Sequence, residues 1–200
     1  MTPQRLVLAS GNAGKLREIR AWLAPLGIET IAQSELGVHD ADEPHPTFIE
    51  NCLAKARHAA RLTGLPVLAD DSGLCVPALG GAPGVHSSRY ANETDPALRD
   101  ARNNRRLLEA LAGIEDRRAW FYCVMVWLRH ADDPQPLIGE GLWHGTLLLH
   151  PAGDEGFGYD PLFFLPQQGV TAAQLPLEEK NRLSHRAQAL RSLGEKLAVR

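Results

Sequence analysis

The chain has few cysteines, no long hydrophobic run and no excess of basic residues. Its three cysteines, Cys52, Cys75 and Cys123, are isolated and form no CxxC pair, so the sequence indicates neither a disulfide framework nor a zinc knuckle. The formal net charge of -3 argues against broad binding to nucleic acid or to an anionic membrane, since both require a basic face. The apolar run Leu6–Ala9 is far too short for a signal peptide or a membrane span. We therefore expect a cytoplasmic protein, in a reducing environment, with no nucleic-acid or membrane partner.

Length and composition suit one globular domain spanning residues 1–200, with 44% hydrophobic and 22% charged residues. The pattern begins as βαβαβ, with a first strand at Leu6–Ala9, and continues with a helix, a strand-rich half and C-terminal helices. Ala119–His130 alternates aromatic and β-branched residues and is predicted to be a strand, and two more are predicted at Leu137–Leu142 and Trp143–Leu149. This order predicts an α/β domain with a mixed sheet.

Local signals define two helices in the first third of the chain. A helix is predicted after the turn at residues 10–14, with Leu16, Ile19 and Leu23 on its apolar face and Glu18 elsewhere. Thr47-Phe48-Ile49-Glu50 matches a capping box, so a second helix is predicted to run to about Thr63 and to end at Gly64. Its predicted apolar face consists of Ile49, Leu53, Ala56 and Ala60.

Two adjacent carboxylates, Asp70 and Asp71, follow an apolar strand and precede Ser72 and Gly73. Ligands of α/β sheets lie at the carboxyl ends of the strands. Neighbouring aspartates repel each other unless a cation or a proton intervenes. Oxygen ligands favour Mg²⁺ or Mn²⁺, and Mg²⁺ on few carboxylates usually takes its remaining ligands from phosphate and water. The alternative is an ordinary polar turn that ends a strand.

A second segment, Ser10-Gly11-Asn12-Ala13-Gly14-Lys15, joins a strand to a helix. It places backbone N–H groups, the positive end of a helix and one ammonium group together, which predicts an anion cradle. It is not a Walker A loop, because the glycine spacing is too short and Leu16 stands where Ser or Thr is required. The alternative is a generic connection that uses glycine.

Two further segments contain groups suited to a nucleotide. Gly156-Phe157-Gly158-Tyr159-Asp160 combines glycines, which allow close approach, with aromatic rings that can stack on a base, although the rings could instead pack inward. Lys180 and His185-Arg186 lie near the start of the last helix and could equally be solvated residues. Taken together, an anion cradle, a carboxylate metal site and a glycine–aromatic segment describe a metal-bound nucleotide, with Glu43 on the acidic loop Gly37–Pro46 completing the metal shell.

These residues resemble one known family, the inosine triphosphate pyrophosphatases, also called Ham1-like or dITP/XTP pyrophosphatases. Six motifs match in order between residue 6 and about residue 193. They are Ser10–Lys15, Thr47–Asn51 with Lys55-Ala56, Ala69–Leu74, Gly80–Gly84 with Ser88-Arg89-Tyr90, Gly156–Pro161 and Ser184-His185-Arg186. The resemblance implies an elongated mixed sheet flanked by helices, two lobes around a nucleotide-binding cleft, a homodimer and Mg²⁺ dependence.

The resemblance also implies an activity and site residues. The family hydrolyses noncanonical purine nucleoside triphosphates (ITP, dITP and XTP) to the monophosphate and pyrophosphate, which keeps them out of DNA and RNA. On this basis Asp71 is the general base, Glu43 and Asp71 ligate Mg²⁺, and Asp70 assists. The implied substrate contacts are Ser10, Gly11, Asn12, Ala13, Gly14, Lys15, Lys55, Ser72, Arg89, Phe157, Gly158, Tyr159, Asp160, Lys180, His185 and Arg186, the last two reading the base.

Two other functions are compatible with the same residues. One is a pyrophosphatase of the same chemistry that acts on modified pyrimidine or methylated nucleotides, as Maf-like proteins do. The other is a nucleotide sensor that binds without hydrolysis, although a sensor has no need for a general base beside a metal ligand.

Overall fold

The computed structural model of the protein describes residues 5–198. Its helices and strands follow in the order β1 (Arg5–Ala9), α1 (Ala13–Leu23), β2 (Glu29–Ala32), α2 (Phe48–Thr63), β3 (Val67–Cys75), α3 (Pro96–Ala110), β4 (Arg118–Leu128), β5 (Leu137–Leu147), β6 (Phe163–Leu165), β7 (Val170–Thr171), α4 (Leu177–Leu183) and α5 (His185–Ala198). Short 3₁₀ helices occupy several connections.

The strands form one mixed sheet of seven in the order β2-β1-β3-β4-β5-β6-β7. β1 pairs in parallel with β2 and with β3, and the β5–β6 and β6–β7 pairs are antiparallel. The parallel strand β1 is apolar and buried on both faces except at Arg5, as a strand covered by helices should be. The predicted α/β class with a mixed sheet is confirmed.

Two predictions about the strands are wrong in their bounds. β3 does not end at the paired aspartates but continues through them to Cys75. The two strands predicted between residues 137 and 149 are one strand, β5, because Gly141 and Gly145 are accommodated inside it. The short strands β6 and β7 and the helix α4 carry no pattern long enough to be detected in the sequence.

The chain divides into two compact units, and three strands contribute residues to both. The first unit contains the described residues up to Asp71, Cys123–Gly141, and the described residues from His185 onward; the second contains Ser72–Tyr122 and Leu142–Ser184. Each has its own apolar core. In the first, leucines of β1 and α1 and Ile19 of α1 pack with α5. The second is centred on Phe121, Trp143 and Phe163.

One domain over residues 1–200 stays a prediction, and its first four and last two residues lie outside the described residues. Within residues 5–198, no helix is both long enough and apolar enough to cross a membrane.

Helix α2 begins and ends as predicted, and the structure buries two residues of its predicted apolar face, Ala56 and Ala60, together with polar residues beside them. The Thr47 side chain caps the Glu50 amide, and Gly64 ends the helix in the left-handed conformation with a φ of 66°. Asn51, Cys52, Lys55 and three alanines are buried, whereas Ile49 and Leu53 are only half-buried. The apolar pattern was misleading because hydrogen bonds and ion pairs compensate the burial of Asn51 and Lys55.

Candidate active site

The predicted anion cradle lies at the N-terminus of α1. β1 ends at Ala9, and Asn12 caps the helix by accepting a hydrogen bond from the Lys15 amide at 3.0 Å. The Asn12 amide in turn donates to the Ser10 hydroxyl at 3.2 Å. These bonds shape a strand–turn–helix loop whose residues from Gly11 to Ala13 are exposed, at the positive end of an eleven-residue helix.

Asp70 is buried and held by cations. Its Oδ1 lies 3.2 Å from Lys15 Nζ, and its Oδ2 lies 3.3 Å from Nε and from a terminal nitrogen of Arg186. Burial by itself would raise the pKa of this carboxyl, but the charges of Lys15 and Arg186 outweigh burial and hold the pKa well below its usual range. Asp70 is therefore a fixed negative charge.

Arg186 extends this cluster to α1. The guanidinium is 2% exposed and donates hydrogen bonds both to Asp70 and to Glu18, which is buried as well. Glu18, Arg186 and Asp70 thus form a continuous buried chain of alternating charge. Glu18 was expected away from the apolar face of α1; its burial follows from this ion pair, a long-range contact that helical periodicity does not report.

Asp71 has a different environment although it is the next residue. Its Oδ1 accepts a hydrogen bond from Lys55 Nζ at 3.0 Å, while its buried Oδ2 has no hydrogen-bond partner among residues 5–198. Burial raises the pKa of Asp71, and Lys55 and Lys15 only partly oppose that effect. Because its pKa is raised and its Oδ2 accepts no hydrogen bond from the described residues, this carboxylate is suited to accept a proton or to ligate a cation.

Lys55 bridges the two predicted metal ligands. Its Nζ lies 2.9 Å from Glu43 Oε1 and 3.0 Å from Asp71 Oδ1. Burial would lower the pKa of this ammonium, but the charges of Asp71, Asp70 and Glu43 raise it instead. Lys55 therefore carries a full positive charge between Glu43 and Asp71.

The donor set fits a hard divalent cation with few protein ligands. Across the described residues, no three His, Cys, Asp or Glu side chains converge as a complete metal shell. Glu43 and Asp71 are joined through Lys55, and the buried Asp71 Oδ2 accepts no hydrogen bond from the residues that the structure describes. Two carboxylates with water and substrate phosphates are a common shell for Mg²⁺.

The glycine–aromatic segment lies in the second unit and is built around Asp160. This buried carboxylate accepts hydrogen bonds from Lys180 Nζ at 2.6 Å and from the Phe157 amide at 2.9 Å. Lys180 Nζ also lies 4.6 Å from the centre of the Phe157 ring. Position 156 requires glycine, because its φ is 79° and a Cβ there would lie 2.1 Å from Asp160 Oδ2.

Two neighbours of Asp160 are fixed by other parts of the second unit. The Gly158 amide donates to Asp100 at 2.7 Å, and the Gly158 carbonyl accepts from Asn104 at 2.8 Å, so α3 holds both backbone groups. Tyr159 is buried, and its hydroxyl donates to the Ser87 carbonyl at 2.9 Å. Its ring packs in the core, whereas the Phe157 ring is only half-buried.

The structure brings the sequence-predicted residues into two groups. The first unit unites the loop Ser10–Lys15 with Glu43, Lys55, Asp70, Asp71 and Arg186, and His185 begins α5 beside Arg186. The second unit joins Phe157, Asp160 and Lys180, contains Ser72 in β3, and places Arg89 at the end of a short 3₁₀ helix.

Sequence reasoning missed Glu18 and Asn51. Only Asn51 had a detectable signal, because it forms a helical polar stripe with Lys55 and His58.

Comparisons with known proteins agree over nearly the whole chain. The model of the Ham1 family matches residues 6–196. A dITP/XTP pyrophosphatase of Bordetella pertussis is 66% identical over 97% of this chain and 91% of its own length, and one of Nitrosomonas europaea is 61% identical over 97% and 94%. The solved HAM1 protein of Coxiella burnetii superposes with a TM-score of 0.89 at 48% identity, covering 98% of this chain and 99% of that one. The Staphylococcus aureus Ham1 protein gives 0.84 at 37% identity, with 98% of each chain covered.

Proposed function

Because the chain belongs to the Ham1 family, we propose that it is a dITP/XTP pyrophosphatase. It hydrolyses noncanonical purine nucleoside triphosphates (dITP, XTP and ITP) to the monophosphate and pyrophosphate, and so keeps them out of DNA and RNA. The observation that carries the proposal is the asymmetry of the adjacent aspartates. Asp70 is a fixed anion beside Lys15 of the cradle. Asp71 has a raised pKa and offers a buried oxygen that no group within the described part of the chain hydrogen-bonds.

In this reaction the oxygen of a water molecule bonds to the α-phosphorus, and the bond to the oxygen that bridges the α- and β-phosphates breaks. Asp71 accepts the proton of the attacking water, and its raised pKa brings it closer to neutral pH, where a general base works best. Lys15, Lys55 and the exposed amides at the start of α1 stabilise the negative charge on the phosphates. Ser10–Lys15 hold the triphosphate.

Glu43 and Asp71 are the side chains that would hold Mg²⁺, and Asp71 Oδ2 is the buried oxygen that such an ion would satisfy. When bound, the metal supplies positive charge to the phosphate oxygens. Lys55 contacts both carboxylates and offsets part of their mutual repulsion.

The remaining site residues are proposed substrate contacts. They are Ser72, Arg89, Phe157, Gly158, Tyr159, Asp160, Lys180, His185 and Arg186. His185 and Arg186 are the proposed readers of the base. Hypoxanthine and xanthine present an acceptor at O6 and a donor at N1, the reverse of adenine, so a site built for the first pattern leaves polar groups unpaired with ATP. The proposal further includes a homodimer in the cytoplasm.

The direct test measures pyrophosphate release with Mg²⁺ from XTP, dITP, ITP, GTP, ATP and a modified pyrimidine triphosphate. We expect rapid release of pyrophosphate, and not of orthophosphate, from the first three. Preference for the modified pyrimidine would indicate the Maf-like activity instead. Tight binding of XTP without product would indicate a nucleotide sensor.

A further inference from the structure

The acidic loop Gly37–Pro46, which carries Glu43, is fixed along one polar stripe of α2. Asn51, Lys55 and His58 lie at positions i, i+4 and i+7, so they share one face of the helix. Each contacts a different point of the loop, and the pairs are Asn51 with the His45 backbone, Lys55 with the Glu43 carboxylate and His58 with the His39 carbonyl. The loop therefore runs antiparallel to α2 and is bound at three successive places.

Asn51 makes the most complete of these contacts. Its Oδ1 accepts a hydrogen bond from the His45 amide at 2.9 Å, and its Nδ2 donates to the His45 carbonyl at 3.0 Å. The side chain is fully buried, so water cannot replace either bond. A neutral amide that holds both backbone groups of one residue fixes the position of the chain without adding charge beside Glu43 and Asp71.

The other end of the acidic loop is held against the anion cradle. Gln33 donates to Asp40 Oδ1 at 2.5 Å. A Cβ at Gly11 would lie 2.5 Å from Asp40 Oδ2, so the Asp40 carboxylate packs directly on the cradle. Glu43 lies between the two anchored ends, on a segment with no regular secondary structure.

We propose that Asn51 is a positioning residue for the metal site: its paired hydrogen bonds to His45 hold the acidic loop so that the Glu43 carboxylate faces Asp71. This inference rests on the proposed function for the role of Glu43. The fixation is needed because Glu43 and Asp71 repel each other, and an unanchored loop would move Glu43 away from Asp71 and toward water. Lys55 alone would not prevent this, since its flexible side chain can follow either carboxylate.

The experiment compares wild-type protein with Asn51→Ala and Asn51→Ser in two readouts. The first is the Kd for Mn²⁺ in the absence of nucleotide, which is measured from the decrease of the free-ion signal in electron paramagnetic resonance. The second is the Mg²⁺ concentration that gives half-maximal pyrophosphate release. We expect Asn51→Ala to raise the Kd for Mn²⁺ and the half-maximal Mg²⁺ concentration by about tenfold each, since loss of a group that orients a metal ligand typically weakens metal binding by about that factor. At saturating Mg²⁺, kcat should recover most of its wild-type value, because no group that touches the substrate is lost.

Asn103→Ala is the matched control. Asn103 is a buried asparagine of the second unit that binds the backbone of Ser87, Ser88 and Ala91, so its loss should lower the melting temperature without moving either metal readout. Asn51→Ser covers the case in which Asn51→Ala does not fold. His58→Ala frees only the His39 end of the loop, so it should raise the same two quantities by a smaller factor than Asn51→Ala does.

Unchanged metal readouts in a folded Asn51 variant would overturn the inference, and so would an equal shift in Asn103→Ala. If neither Asn51 variant folds, an unchanged His58→Ala would overturn it. A wild-type protein that releases no pyrophosphate from XTP or dITP would instead refute the proposed function. That outcome is distinct, because Mn²⁺ binding is measured without a nucleotide.

Discussion

Both units bury a lysine against an aspartate, but the two sites differ in charge balance. In the second unit Lys180 contacts Asp160, and both side chains are almost fully buried. In the first unit the described contacts join four carboxylates to three cations, namely Glu18, Glu43, Asp70 and Asp71 to Lys15, Lys55 and Arg186. The Lys180–Asp160 pair is suited to hold structure, whereas Asp71, whose burial the nearby lysines compensate only in part, is suited to receive a further cation.

The same contrast appears inside the first unit, between neighbouring residues. Asp70 receives the positive charge of Lys15 and Arg186, and its pKa falls; Asp71 receives less compensation for its burial, and its pKa rises. We therefore expect Asp70 and Asp160 to stabilise the fold and Asp71 to take part in the reaction. The following experiments separate the two kinds of site.

The largest expected effect is on the stability of the second unit. Lys180→Met leaves Asp160 buried without its ammonium partner, so the free energy of unfolding should fall by about 3–5 kcal/mol. The double variant Lys180→Met/Asp160→Asn should recover most of that loss, because Asn keeps an acceptor for the Phe157 amide. Urea denaturation provides the measurement. A single variant as stable as wild type, with a raised KM, would show that Lys180 acts only as the proposed substrate contact and does not stabilise the fold.

At Asp71 the expected loss is catalytic. Asp71→Asn should lower kcat by about 100-fold or more at saturating Mg²⁺, since the amide cannot act as a base. Stability at pH 7 should not fall. A carboxyl whose folded pKa is raised stabilises the fold when protonated and loses that contribution as pH rises through the folded pKa, so a neutral amide is not penalised. In wild type, kcat/KM should decline as pH falls into the range in which Asp71 becomes protonated.

Asp70→Asn is the control for this experiment. The pKa of Asp70 is lowered, so its negative charge stabilises the folded protein at pH 7, and its removal should lower the free energy of unfolding. If both variants changed stability in the same direction, the asymmetry of the pair would be wrong. Near-normal turnover in Asp71→Asn would show that Asp71 is not the general base.

A third experiment separates base recognition from support of the cluster. His185→Ala should reduce the ITP-to-ATP ratio of kcat/KM about tenfold, mainly through the ITP value, which corresponds to about 1.4 kcal/mol of lost hydrogen bonding. Arg186→Ala should lower kcat/KM for both nucleotides, because its guanidinium also binds Asp70 and Glu18. An unchanged ratio in His185→Ala would exclude it as a reader of the base, and a selective loss in Arg186→Ala would make its base contact dominant.

The sequence predicted the fold class and the approximate position of most elements, because strands β1 and β4 and the capped helix α2 are encoded by local patterns. It did not predict the burial of Lys55 in α2 or of Glu18 in α1. Both depend on partners distant in sequence, such as Glu43, Asp71 and Arg186, whose positions no periodicity reports. Similarly, the motif Asp70-Asp71 marked a site, but its two residues look equivalent in sequence. The different cations that surround them in three dimensions create the asymmetry.

The smallest expected effect concerns Lys15. A lysine after a glycine turn would ordinarily be exposed and contribute little stability, but the side chain here is mostly buried and contacts Asp70. Lys15→Ala should therefore lower the free energy of unfolding at pH 7 by about 1 kcal/mol, with Arg186 still compensating Asp70. Because the folded pKa of Asp70 is depressed, this difference should persist above its ordinary value of 3.8 and fade as pH falls through the folded pKa. Urea denaturation of both proteins from pH 7 to well below pH 3.8 measures it, and a difference independent of pH over that range would show that Lys15 stabilises through packing and not through Asp70.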